Sequence, residues 1–444
     1  MLVASLLINL RSGGDRHNPA IFAPGNATPI ATPAPQDTPV SGVPMYRGNA
    51  ARTGEMPGPG PASPPGEMWK WLDVVSTSVP PVIVGGVIYI GDDGGRVLAL
   101  NAVTGEEIWR FKSKVIDRVV VSATGSIVFL TDQTCELIAL DASNGTELWR
   151  HLGCRPSTNP IVFPDKVLVD GPNGKSIVLD QKTGAEISHF DFASELSRSP
   201  AYADGVAYGG SASGTLFAVD VTTGNERWHV DTSSPQISTP AVVDGMVFVS
   251  LWADDNTGSL AAYDAATGQQ VWTYTSRGGL GFSATSVANG LVVAGGFDGS
   301  VYGINAKDGS LAWSVETGSQ LPITSAPGIA QGTVYVGNAE GQILALDAAT
   351  GATQWTTSFS GATAFGPIVD NGMLWLTSAL GEVYAFGAGG SAQATPAAIP
   401  SPQASPASAS LTLDWTSYNT QGAAFSSPNN MAVAPNGDLR IVDA

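Results

Sequence analysis

"LALDAATGATQW", residues 344–355, decides how this chain folds. Within it Asp347 is followed four positions later by Gly351, and Gly351 four positions later by Trp355. The same spacing recurs at Asn101/Gly105/Trp109, Asp141/Gly145/Trp149, Asp220/Gly224/Trp228, Asp264/Gly268/Trp272 and Asn305/Gly309/Trp313. A seventh copy, Asp180/Gly184, carries Ser188 where the others carry Trp. From Trp109 to Trp355, with Ser188 counted, the steps run from 39 to 44 residues. A fixed period of that length marks the blades of a propeller, and a catalytic motif has no reason to be copied in every unit.

Side-chain chemistry gives the motif a structural role. Asp and Asn accept hydrogen bonds from backbone N–H groups two or three residues on, and Gly takes the positive φ that closes a hairpin. The segment Asp347–Gly351 therefore reads as a turn between two strands, with the Thr hydroxyl adding a further bond. Asp141, Asp220, Asp264 and Asp347 are expected to cap such turns. Each Trp is expected to lie in the gap between blades, where a ring of that size buries about 150–250 Å². Ser188 predicts a looser or differently filled gap.

Around the motif, each repeat supplies an inner strand ("SAPGIA"), a second ("TVYVG"), a third ("QILALD") and an outer strand that bears the Trp ("ATQWTT"). Eight inner triplets are present, but the last, "GPIVDNGMLWLTSALGEVYAF", has no outer strand after it. The missing one is found at the other end, in "GEMWKWLDV", where Trp69 stands 40 residues before Trp109 and so in register. The expected fold is an all-β, eight-bladed propeller of four-stranded blades, closed by an N-terminal strand that leaves no open edge.

The boundaries follow from composition. Residues 1–44 hold a short apolar start, "MLVASLLINL", and a Pro/Thr/Ala linker; 45–387 form the propeller; 388–410 are an Ala/Pro/Ser linker; 411–444 begin a further strand unit. The apolar start is too short to span a bilayer. It reads either as the remnant of a signal or membrane anchor whose upstream part is missing, or as an unstructured start; the linker behind it favours the first and hence an exported, membrane-tethered chain.

With 53 Gly, 30 Pro and 13% charged residues, the chain suits short strands and tight turns. A net charge of −18 argues against nucleic acid or an anionic membrane surface as main partner. Cys135 and Cys154 flank the two strands of one hairpin and either form a disulfide or stay free; their spacing excludes a CxxC redox or zinc motif. His17, His151, His189 and His229 show no metal-ligand spacing. Asp254, Asp255 and Asn256 are either a solvated acidic turn or part of a calcium loop, which needs six to eight oxygens.

The Ala-x-Asp-x-x-Thr-Gly-x-x-x-Trp pattern resembles the β-propeller repeat of the pyrroloquinoline quinone (PQQ) type over residues 66–387, and "MYRGNAARTG" (45–54) resembles the lead-in of such propellers. "PNNMAVAPNGDLRIVDA" is similar to the start of an NHL repeat. Two branches of the superfamily matter: quinoprotein dehydrogenases, and non-enzymatic scaffolds similar to the outer-membrane assembly lipoprotein BamB. The dehydrogenases carry an adjacent Cys pair, calcium-binding carboxylates and long insertions, and this chain departs from all three. The resemblance therefore implies a non-enzymatic, extracytoplasmic scaffold for a protein or peptide partner, with no cofactor and no metal. A sensor ectodomain with a small ligand, and a quinoprotein-like oxidoreductase, are the alternatives.

One charge distribution stands out. Lys112, Lys114, Arg118, Arg155, Arg198 and Arg277 fall on connections from an outer strand to the next inner one, around the channel mouth. Arg118, Arg155, Arg198 and Arg277 form a candidate site for a carboxylate, phosphate or peptide terminus, because guanidinium groups hold such anions bidentately. Asp117 and Glu195 lie beside them, so ordinary loop charges are the alternative reading.

Overall fold

A computed structural model describes residues 42–388, apart from 72–76, 78, 115–117, 155–158, 172–173, 193–195, 197, 254–256, 276–282, 320 and 364, together with two short strands near the C-terminus. Eight antiparallel sheets of sequential strands follow one another along residues 66–387, the eight blades of a propeller. Blade seven shows the pattern: Gly328–Ala330, Thr333–Gly337, Gln342–Asp347 and Thr353–Ser358 pair in that order. Blade eight is closed from both ends of the chain. Gly66–Trp71 pairs with Val383–Gly387, next to Met373–Thr377 and Ile368–Asp370. The second compact unit, residues 394–444, contributes the pair Met431–Val433 and Leu439–Ile441. The apolar start and most of the 388–410 linker lie outside the described residues.

The repeated acids cap their turns as expected. Asp347 Oδ1 accepts the N–H of Ala349 at 3.1 Å and of Thr350 at 2.9 Å, plus the Thr350 hydroxyl at 2.8 Å. Asp264 does the same with Ala266 and Thr267, Asp220 with Thr222 and Thr223, and Asp141 with Ser143. Hydrogen bonds hold all four carboxyls below the usual carboxylate range, with Arg227 the largest contributor at Asp220.

Six of the repeat tryptophans bridge two blades. The indole N–H of each donates to a carbonyl in the next blade: Trp69 to Ala102, Trp109 to Ala142, Trp149 to Gln181, Trp228 to Ala265, Trp272 to Ala306 and Trp313 to Ala348, at 2.8–3.1 Å. The ring lies over the glycine of the next turn. A Cβ on Gly145, at φ +72°, would stand 2.6 Å from the Trp109 ring, so this glycine is needed for space as well as for backbone conformation. Trp355 has no such turn ahead of it and donates to Pro61 of the lead-in at 2.9 Å.

A feature absent from the sequence reading places these rings. On every outer strand the register shifts immediately before the Trp position, as between Glu107 and Trp109 opposite Leu100 and Ala99. One bulged residue per strand re-aims the indole out of simple alternation. Opposite the tryptophans stand Ala99, Ala139, Ala218, Ala262, Ala345 and Ala385, with Gly303 facing Trp313. Opposite Ser188 stands Val178, so the small and large partners are exchanged. Ser188 keeps the bridge, donating to Val221 O at 3.3 Å, while buried Phe190 lies against Gly224. The gap there is filled differently, as the missing Trp predicts.

Candidate functional site

The inner strands line the propeller axis, and their inward edges have no neighbouring strand, so their N–H groups need another partner. The lead-in supplies it. Residues 42–59 touch every blade: Gly42 pairs with Val84, Pro44 O accepts from Ala123, Ala50 O from Tyr202, Ala51 O from Val242, Thr53 O from Val287, Gly54 O from Ile329 and Pro59 O from Gly372. Blade three is reached by a side chain, with Arg52 Nη2 donating to Asn159 O at 3.2 Å. "MYRGNAARTG", the stretch that resembles a propeller lead-in, is thus the ring's axial filling.

Two arginines of this segment are buried on the axis, Arg47 at 5% and Arg52 at 0% exposure. Both adopt left-handed backbone, φ 62° and 57°, a conformation uncommon for residues with a side chain. Arg52 is well satisfied: its Nη1 donates to Tyr46 O at 2.6 Å, its Nη2 to Asn159 O and its Nε to Pro200 O at 3.4 Å. Arg47 makes one such bond, Nη1 to Thr239 O at 3.3 Å. Burial pulls both guanidinium groups down to about 10, which leaves them charged at neutral pH. Arg47 borders a small cleft of about 30 Å³ between the lead-in and the entries to the inner strands of blades one, seven and eight.

Of the four arginines singled out in the sequence, the structure describes two, Arg118 and Arg198. Arg118 is exposed ahead of the inner strand of blade two. Arg198 is exposed ahead of blade four and sits over Trp252 of blade five, 6.0 Å from the ring centroid. Arg155 and Arg277 lie outside the described residues, as do Asp117, Glu195, His17, Asp254, Asp255 and Asn256. Lys112 donates to Gly94 O, and Lys114 is exposed. His189 and His229 pair with Glu186 and Glu226 on their own strands, each at 2.6 Å. Cys135 and Cys154 are free thiols, and burial pushes the Cys154 thiol up to about 12. Among the described residues no group of three or more His, Cys, Asp or Glu is placed to hold a metal ion. No helix among them is long and apolar enough to cross a membrane.

The family model of the outer membrane protein assembly factor BamB matches residues 58–184 and 173–394, well over half of the chain. The chain belongs to the BamB family. The BamB structure from Moraxella catarrhalis is 22% identical, with a TM-score of 0.56 over 73% of this chain and 97% of its own. A europium-containing methanol dehydrogenase superposes with a TM-score of 0.64 at 14% identity, covering 79% of this chain and 98% of that one. At such identities the likeness establishes the fold. A quinoprotein ethanol dehydrogenase from Pseudomonas putida is 38% identical over 74 residues, which is 16% of this BamB-family chain and 12% of the enzyme. The indole bridges and the closing strand fall within the BamB-matched region; the axial arginines precede it.

Proposed function

We propose that this chain is a non-enzymatic, exported scaffold whose propeller face binds a protein or peptide partner. The match to the BamB family over most of the ring carries this reading. The filled axis agrees with it, because a channel occupied by the chain's own residues 42–59 leaves the outer faces as the larger surfaces for contact. Arg118, Arg155, Arg198 and Arg277 are the cations proposed to meet an anionic segment of that partner. In a chain of net charge −18 a local cationic face steers such an encounter, and exposed charges are screened over about 8–10 Å at physiological salt.

The 74-residue similarity to a quinoprotein dehydrogenase favours a second reading, an oxidoreductase. Pyrroloquinoline quinone is a flat tricarboxylate. The cleft beside the axis has room for about 30 Å³, too little for a molecule of that size.

Both readings are tested with the full chain. Immobilised protein is expected to retain a discrete partner from membrane extracts of its native host at low salt, less so as salt rises. The Arg118→Gln/Arg155→Gln/Arg198→Gln/Arg277→Gln variant, equally folded, is expected to retain it poorly. Equal retention would remove the arginines from the site. Dye reduction with an alcohol or sugar after addition of the quinone and calcium would replace the scaffold with an oxidoreductase.

A further inference from the structure

Blade two departs from its neighbours where the turn between its second and third strands meets the end of its outer strand. The residue that closes this turn is glycine in six other blades, Gly95, Gly174, Gly214, Gly299, Gly341 and Gly381, each at positive φ. Blade two has Cys135 there, in the same left-handed backbone at φ 62°. That conformation is uncommon for a residue with a side chain, and such strain gathers where a site makes use of the residue.

The partner of the turn differs as well. In blades four and six the turn glycine's carbonyl accepts both the N–H and the hydroxyl of a threonine, Thr232 on Gly214 and Thr317 on Gly299. Blade two has Gly153 at this point, with no hydroxyl to give. The Cys135 carbonyl accepts instead the N–H of Gly153 at 2.9 Å and the N–H of Cys154 at 3.1 Å. Backbone bond lengths and that second contact keep the two cysteine α-carbons within about 7 Å, where a disulfide spans about 4.4–6.8 Å. A Cβ built on the turn glycines shows where the Cys135 side chain heads. On Gly214 it would stand 1.9 Å from Ser234 O and on Gly299 2.1 Å from Ser319 O, each just past the outer strand. In blade two Cys154 stands just past that strand, buried in the apolar cluster against which Cys135 packs. The chain has only these two cysteines.

We propose that Cys135 and Cys154 are a redox modification site, which oxidised glutathione converts to an intramolecular disulfide that staples the turn of blade two to the end of its outer strand. Half-buried Cys135 is the thiol that a reagent reaches, and Cys154, at 0% exposure, is the one that resolves. The Cys135 thiolate attacks one sulfur of oxidised glutathione and expels one glutathione thiolate, leaving a mixed disulfide. Cys154 then gives up its proton and attacks Cys135 Sγ, expelling the second glutathione. Two protein thiols are oxidised to one disulfide, and one glutathione disulfide is reduced to two thiols. The site uses none of Arg118, Arg155, Arg198 or Arg277, so it stands or falls apart from the docking reading.

The experiment uses the full chain, fully reduced and then exposed under native conditions to excess oxidised glutathione. Thiol titration, intact mass, a non-reducing digest and thermal unfolding are the readouts. Both thiols should be lost with no glutathione retained, and the digest should yield one peptide pair joined through residues 135 and 154. The melting midpoint should rise by at least about 2 °C and return on reduction. Cys154→Ser should stop at the mixed disulfide, with one glutathione on Cys135. Cys135→Gly restores the turn glycine and so keeps the fold, and it should leave Cys154 unmodified in the native chain. If Cys154→Ser fails to fold, the parent's digest and Cys135→Gly decide. The proposal is overturned if both thiols persist in the parent, if glutathione stays attached to it, or if the linked peptides come from two chains. A midpoint that does not move on oxidation would overturn the staple.

Discussion

At the scale of single residues, the aspartates of the repeat act through the proton they do not carry. Asp141, Asp220, Asp264 and Asp347 are held below the ordinary carboxylate range by turn hydrogen bonds, so each has a lower pKa folded than unfolded. Their contribution to stability is complete above the unfolded value of about 4 and is lost as pH falls through the folded values. Denaturant unfolding measured from pH 7 down to pH 2 should therefore show stability declining on the acid side. Asn already occupies this position at Asn101 and Asn305. The Asp141→Asn/Asp264→Asn/Asp347→Asn variant should keep its turns and decline less steeply, and an unchanged acid slope would show that these carboxylates do not set it. The turn role was legible in the sequence because an Asx turn is local: donor and acceptor lie two or three residues apart.

At the scale of the element, the outer strand of blade three tests how the gap is filled. Ser188 faces Val178 where the tryptophans face Ala or Gly, and Phe190 takes up the space over Gly224. Ser188→Trp alone should destabilise the protein, because the indole meets Val178 and a gap already filled. Combined with Val178→Ala the loss should be smaller than the sum of the two single changes, by a coupling of about 0.5–3 kcal/mol. Denaturation midpoints of the two single variants and the double variant measure this, and strict additivity would show that the pair is not exchanged in the sense inferred. The small residue two positions before the Asp or Asn, in every copy but the one at Asp180, was visible in the repeat, but its meaning was not. Only the bulge before the Trp position sets which residue faces which, and a bulge leaves no residue type of its own in these strands.

At the scale of the molecule, two segments near the N-terminus hold the ring by different means. Gly66–Trp71 completes blade eight, and Lys70 reaches Glu382 across the closure at 3.2 Å. Residues 42–59 satisfy the inner strands from the axis. A chain starting at residue 76 loses both; one starting at residue 62 keeps the closing strand. The first should aggregate or lose at least about 4 kcal/mol, the value of re-exposing a Trp-sized surface alone, in addition to an open sheet edge. The second should stay closed yet melt below the full chain. Equal melting of the chain starting at 76 and the full chain would disprove the closure, and equal melting of the chain starting at 62 would show that the axial filling adds nothing to the ring.

The sequence by itself determined the blade count, the turn chemistry, the tryptophan positions and the strand that closes blade eight. Each of these is written in residues that repeat at a fixed period, or in the one copy that the period leaves missing. Tertiary structure alone decided what occupies the axis. "MYRGNAARTG" occurs once, so no periodicity interprets it, and its partners are single backbone groups drawn from eight blades spread over some three hundred residues. Arg47 and Arg52 read as ordinary lead-in charges until the ring brings those carbonyls together and withdraws water from both. Burial is a property of the closed ring, which is why the arginines of the connections were found first and the desolvated pair on the axis was not.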